Sequence, residues 1–311
     1  MVCKSQEHPP IYIKELSGCI HGAQRGRRYI VLFRFVCDES YDSPKGNARR
    51  PKGSPPFQPN TYVVAGFFAN DKTWGKIEKQ WDGKNNRVHV PRFHASHLNA
   101  RTWEFDGWSK NRQIRYSKDM LKILKDQKHK LHAVSCGLLA DEYRSIINDK
   151  GRENFGHPYL VCFKTCIAII AKEMEAGGFP PEDQFAVILD RNEFELDAVR
   201  TFYELKDDPG FAYRSRLATC TPGSAKQVIS LQPADFIAYE TFRLLHEKRY
   251  KEPKIRHVLK SMFDTNGFSG YYFEAETLNR IKEPLEAATC RPGGFVVIMP
   301  TVEENIAASG V

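Results

Sequence analysis

Residues 29–40 read YIVLFRFVCDES, an aromatic and β-branched run interrupted only by Arg34 and closed by Asp38, Glu39 and Ser40. Its apolar part, 29–37, is expected to form a buried strand. Side chains alternate along a strand. Leu32, Arg34, Val36 and Asp38 therefore share one side, while Phe33, Phe35, Cys37 and Glu39 share the other. Asp38 and Glu39 can point at one metal only where the strand has ended or bulged.

Working outward, TYVVAGFFA (61–69) reads as a second strand, suited to run antiparallel to the first. Trp74, Ile77 and Trp81 then recur at helical spacing and predict a short helix. VHVPRFHASHL (88–98) reads as a strand or extended loop, followed by an aromatic loop whose Trp103, Phe105 and Trp108 can stack on bases but are expected rather to pack in the core. Ser109 suits the cap of a helix to about Gln127, with Ile114, Met120, Leu121 and Leu124 on its buried face. LHAVSCGLLA (131–140) is a third strand, and 158–176 an apolar helix stopped by Gly177 and Gly178. FAVILD (185–190) is a fourth strand, 195–205 a helix and YRSRLAT (213–219) a fifth strand. Pro233 belongs in the first turn of a helix reaching about Glu247.

This alternation predicts an α/β fold, a mixed sheet with helices packed on its faces. The expected organisation is one domain over 1–250 with a C-terminal helical extension, 251–311, packed on it. That extension reads as two helical pieces separated by NGFSGYY, then an apolar turn, PGGFVVIMP, and a polar tail. Between the first two strands lies an insertion over 42–60, rich in Pro and Gly and carrying Lys45, Arg49, Arg50 and Lys52.

Hydrophobic residues make up 41% of the 311, and 27% are charged, the balance of a globular chain able to bury a core. No apolar run approaches the roughly 20 residues of a membrane span, and no secretory leader is expected at the N-terminus. The eight cysteines form no CxxC pair. Cys162 and Cys166, one helical turn apart, are expected to be buried packing, so a reduced, cytoplasmic protein is the expectation. The net charge of +8 favours a polyanionic partner. It is concentrated: residues 84–130 hold twelve Lys and Arg against four acids, an excess equal to that of the whole chain. Within that stretch Arg115, Lys118, Lys122 and Lys125 line one helical stripe that can track a nucleic-acid backbone, and their alternative is a solvated helix face.

Asp38 and Asp190 each follow an apolar run, and Asp235 sits inside LQPADFIAYE. If the first and fourth strands are parallel neighbours, their ends lie about 5 Å apart, close enough for Asp38 and Asp190 to share a cation. Asp235 aligns with Ala238, Tyr239 and Phe242 on the helix face expected to pack on the sheet, which aims its carboxylate inward. Three clustered carboxylates repel one another without a cation, and oxygen-only ligands favour Mg²⁺ or Mn²⁺. Such ions activate a water and stabilise the leaving oxygen of a phosphodiester. Taken singly, an Asp after a strand also starts a turn, and Asp235 also suits a helix N-terminus.

The order and spacing of DES (38–40), VVAGFFA (63–69), RFHASHL (92–98), GWS (107–109), ILDRNEF (188–194) and SAKQVISLQPADFIAYE (224–240) resemble the domain of unknown function 3800 family. These are mostly microbial proteins similar to ribonuclease H-like nucleases. The resemblance covers about residues 30–245. It implies a ribonuclease H-like mixed β-sheet flanked by helices on both faces. It also implies that the first-strand, fourth-strand and last-helix acids, here Asp38, Asp190 and Asp235, hold two divalent metals. The superfamily usually adds a Glu from its first long helix, but 158–176 offers only Glu173 and Glu175 near its far end. Glu39, Glu193 and Glu240 are the substitutes nearest in sequence.

His94 is a candidate proton shuttle or phosphate contact, and His97 reads as a loop residue. Ser224 and Lys226 match the family's Ser-x-Lys, with Lys226 a candidate phosphate contact. The leading expectation is a metal-dependent nuclease acting on DNA or RNA. The alternatives are a nucleic-acid-binding module with a vestigial site, or a hydrolase of nucleotides and other small phosphates.

Overall fold

A computed structural model of the chain describes residues 32–42, 60–248, 256–265 and 267–287. The polar N-terminal stretch, the basic insertion with Lys45, Arg49, Arg50 and Lys52, the PGGFVVIMP turn and three cysteines (Cys3, Cys19 and Cys290) lie outside the described residues.

In chain order the elements are β1 (Leu32–Tyr41), β2 (Thr61–Asn70), α1 (Asp71–Val88), α2 (Ala95–Ala100), α3 (Lys110–Lys125), β3 (His132–Leu139), α4 (Ala140–Ile146) and α5 (Asp149–Phe155). They continue with α6 (Pro158–Ala176), β4 (Gln184–Asp190), α7 (Glu195–Asp207), β5 (Leu217–Gly223), α8 (Leu231–Lys248), α9 (His257–Thr265), β6 (Gly267–Phe273) and α10 (Ala275–Ala287). The six strands form one mixed sheet in the order β5-β4-β1-β2-β3-β6. β1 runs antiparallel to β2, as expected from the sequence, and parallel to β4, which meets the condition for bringing Asp38 and Asp190 together. No helix among the described residues is long and apolar enough to cross a membrane.

Helices cover both faces of the sheet, and strand parity sorts the core between them. On one face Phe33, Phe35, Cys37, Val187 and Leu189 pack beneath α6, whose Cys162, Phe163, Cys166 and Ile170 are buried. Cys162 and Cys166 direct their Sγ atoms to the carbonyls of Tyr62 and Val64, so their spacing reflects packing against β2. On the other face Val36, Ala65 and Phe67 meet Trp74 and Trp81 of α1 and Ile237 and Ala238 of α8.

Local chemistry explains the helix ends. The Asn70 side chain accepts from Thr73 N at 2.9 Å to start α1, and His89 in the left-handed region stops it. Pro158 occupies the first turn of α6, and Ser109 caps α3 by accepting from Arg112 N.

Several boundaries differ from the sequence expectation. The Trp74 helix is long, not short, because its buried face continues through Asn85. On α3 the buried positions are Gln113, Tyr116, Met120, Leu121 and Leu124, while Ile114 is exposed. Residues 214–216 form a 3₁₀ turn, which delays β5 to 217–223; Pro222 is tolerated there because β5 is an edge strand. Residues 267–273, within the expected separator, form β6, parallel to β3. Residues beyond 250 therefore contribute a strand to the same sheet.

Candidate active site

β1 does not stop at Cys37. It continues to Tyr41, so Asp38 and Glu39 lie within the strand, opposite Ala65 and Val64 of β2. Pairing with β4, by contrast, ends at Cys37 opposite Leu189. The next residues on these parallel neighbours are Asp38 and Asp190, and past that point each strand has lost the other as a ladder partner. Parity places Asp38 and Asp190 on the α8 side and Glu39 on the α6 side. Asp235 is the fifth residue of α8, in its second turn rather than its first, because the helix begins at Leu231. Its side chain is only 14% exposed, which matches an inward-facing acid better than a helix-dipole partner.

Three backbone amides hold the three aspartates. Asp38 Oδ1 accepts from Glu39 N at 2.8 Å, Asp190 Oδ1 from Ala225 N at 3.3 Å, and Asp235 Oδ2 from Ala95 N at 2.6 Å. Glu39 Oε2 accepts from Asn192 Nδ2 at 2.5 Å, and the same amide reaches the Tyr159 hydroxyl at 3.4 Å. Among the described residues no Lys or Arg pairs with any of these four acids within 4.0 Å.

The electrostatic result is a cluster of acids that resists ionising. Burial, then the charges of Glu39, Asp235 and Asp190, push Asp38 well above the carboxylate range, against the pull of the Glu39 amide. Burial is also the first cause for Glu39, pushed up to about 7 with a contribution from Asp190. It raises Asp235 to about 7 too, where Asp190 and Glu39 add to it and the Ala95 amide and Arg92 oppose it. Asp190 rises by burial, opposed by the Arg191 and Ala225 amides and by Arg92.

His94 Nδ1 lies 3.6 Å from Asp235 Oδ2, too far for a hydrogen bond. Burial, His97 and Arg92 hold the imidazole down to about 4, so His94 is neutral at physiological pH and brings no positive charge to a phosphate. His97 lies on α2, where its Nδ1 meets Glu104 Oε2 at 2.9 Å.

Sequence reasoning missed four residues that build this site. Gln232, fully buried, accepts at Oε1 from Trp81 Nε1, Asn85 Nδ2 and Phe93 N, and donates from Nε2 to Ala225 O. It ties the segment before α2 to the segment before α8, the two that deliver the Ala95 and Ala225 amides to Asp235 and Asp190. Arg92 is the cation whose field reaches both of those acids. Asn192 and Tyr159 orient Glu39. Gln232, Arg92 and Asn192 all stand inside the quoted motifs LQPAD, RFHASHL and ILDRNEF, which was the signal available.

The remaining candidates lie elsewhere. Glu240 is buried against Arg256 at 3.0 Å, Glu193 accepts from Tyr41, Glu173 from Ser269 and Glu175 from Tyr213. Of the possible fourth acids, Glu39 is the one coupled to all three aspartates. Ser224 and Lys226 precede α8, where Ser224 Oγ accepts from Lys226 N at 3.4 Å and the Lys226 side chain is exposed. Arg115, Lys118 and Lys122 are exposed on α3, which packs mainly on α1 and α9 rather than on the acid-bearing strands.

The donor set suits a hard divalent cation: all oxygen, buried, and mutually repelling. Among the described residues, however, no three His, Cys, Asp or Glu side chains are placed so that they could hold a metal ion. The fit is one of donor chemistry, not of gathered ligands. Comparison of the chain with family models, curated proteins and solved structures gives no match.

Proposed function

We propose that the chain is a metal-dependent phosphodiesterase of ribonuclease H-like fold that acts on DNA or RNA. The observation that carries this reading is the cluster of Asp38, Glu39, Asp190 and Asp235, all held above the ordinary carboxylate range by burial and, for Asp38, Glu39 and Asp235, by the charge of neighbouring acids, with no pairing Lys or Arg among the described residues. Supporting it are an acid on the first strand, one on the fourth, and one on the helix after the fifth, the disposition implied by resemblance to the domain of unknown function 3800 family. Asp38, Asp190 and Asp235 would hold Mg²⁺ or Mn²⁺, with Glu39, on the other side of β1, acting on them through its charge. A cation bound there supplies neutralising charge and an acidified water.

The chain's own residues do the rest. Ala95 N and Ala225 N fix the rotamers of Asp235 and Asp190. Asn192 anchors Glu39. Arg92 offers positive charge beside two acids that would otherwise repel a phosphate. Neutral His94 offers one donor and one acceptor nitrogen at the edge of the cluster.

The test is cleavage of single- and double-stranded DNA and RNA with Mg²⁺ or Mn²⁺. Asp38→Asn and Asp190→Asn are each expected to lower the rate by about 10³-fold or more while leaving nucleic-acid binding in place. Wild-type protein without metal-dependent cleavage of any of these substrates would overturn the reading. A second reading, a nucleic-acid-binding module with a vestigial site, is favoured by the absence of three gathered ligands among the described residues. It predicts salt-dependent binding that chelators do not change.

A further inference from the structure

We propose that Trp103, backed by His97 and His94, is a stacking platform for an unpaired nucleobase, so that the strand passing the acidic cluster is single. The inference rests on the nucleic-acid reading above and narrows its substrate class.

The chain has four tryptophans. Trp74, Trp81 and Trp108 are buried, but Trp103 is 78% exposed. It does not follow Phe105 and Trp108 into the core, where those two rings meet edge to face at 5.1 Å. Its backbone is also unusual: Trp103 has φ 54° and Arg101 φ 57°, two left-handed side-chain-bearing residues in three positions. The turn is pinned by Thr102 N donating to His97 O, Phe105 N to Thr102 O and Asp106 N to Trp103 O. A bulky residue held in this conformation gains no burial in return, a pattern of sites shaped for a ligand.

The ring is not isolated. His94 and His97 stack at 4.1 Å with 18° between planes, and His97 and Trp103 at 5.8 Å with 24°. Glu104 holds His97 in this column through the 2.9 Å contact to Nδ1. The three rings lead outward from beside Asp235 and end on the solvent-facing side of the indole. At a rise of about 3.4 Å per nucleotide, the two steps place that face about three nucleotides from His94. A base in a duplex has both faces covered by its neighbours, whereas an unpaired base can add itself to the column. Arg101, exposed two residues before Trp103, can supply charge for the backbone of such a strand.

Because the other three tryptophans are buried, quenching of intrinsic fluorescence by a bound strand reports on Trp103. The experiment titrates full-length wild type, Trp103→Ala and Trp103→Phe with a short labelled single-stranded oligonucleotide and with its duplex. EDTA is present so that nothing is cut, and emission and label anisotropy are read together. The single strand is expected to quench wild type more than the duplex does. Trp103→Ala should bind the single strand about tenfold or more weakly with unchanged thermal stability, and Trp103→Phe should keep most of the affinity. Wild-type affinity in Trp103→Ala, or equal quenching by duplex, would overturn the platform and leave the phosphodiesterase reading standing wherever cleavage is observed. No anisotropy change with either ligand would remove the nucleic-acid reading and the platform together.

Discussion

The acidic cluster and the basic helix α3 each bring like charges together, and the fold treats them in opposite ways. On α3, Arg115, Lys118 and Lys122 face solvent, Lys122 pairs with Asp126 one turn on at 2.7 Å, and Lys84 of α1 reaches across to Asp119. Such charges cost little to keep apart, because water screens them and local partners are to hand. The four acids are drawn from three separate parts of the chain into a site where Asp38 is only 8% exposed, and among the described residues they meet one another rather than a pairing Lys or Arg. Folding alone gains nothing from that arrangement. Like charge gathered at an energetic cost marks the functional candidate, whereas like charge spread over a solvated helix is compatible with solubility alone.

Stability measurements can break this contrast. Asp235 rises in the folded state from the ordinary aspartate range to about 7, so between about pH 4 and 7 the folded protein binds more protons than the unfolded chain. Its contribution to stability is therefore full below about pH 4 and is lost as pH climbs through 7; Glu39 follows the same direction. In chelator at about pH 8, Asp235→Asn should stabilise the protein by roughly 2 kcal/mol, shrinking toward zero near pH 4. A destabilised Asp235→Asn at about pH 8 in a denaturant titration would show that the cluster is an ordinary structural network. The smaller expectation is for the other region. Lys122→Ala should change stability by less than about 0.5 kcal/mol, since an exposed pair of this spacing is worth no more. A loss several times larger would mean that the stripe is structurally committed, and the contrast would fail.

Much of the sheet end was legible in the sequence, for physical reasons. Strand parity depends only on alternation, so the separation of Asp38 from Glu39 could be read from the apolar run, and the antiparallel fit of β2 beside β1 from its composition; the parallel pairing with β4 stood only as a condition. The α6 boundaries were legible because Pro158 and the Gly177–Gly178 pair punctuate it. What escaped depends on tertiary partners. β6 is short and rich in Gly, and becomes a strand only by pairing with β3. β5 runs into Thr221, Pro222 and Gly223, residues that read as a turn until β4 lies alongside. The end of β1 was misplaced because β2 pairs with it beyond the point where β4 lets go. Gln232 looked like one polar residue in a helix start; its meaning lies in three donors that arrive from elsewhere in the chain. Trp103 read as core because nothing local distinguishes it from Phe105 and Trp108.

We propose that Asp38, Asp190 and Asp235 draw together around a divalent cation when one binds, and the most direct measurement is a crystal structure of the full chain soaked in Mn²⁺, with the anomalous signal locating the ion. The account predicts Mn²⁺ bound between Asp38, Asp190 and Asp235, with Glu39 adjacent. Mn²⁺ absent from the cluster, with the three aspartates still held by the amides of Glu39, Ala225 and Ala95, would contradict it.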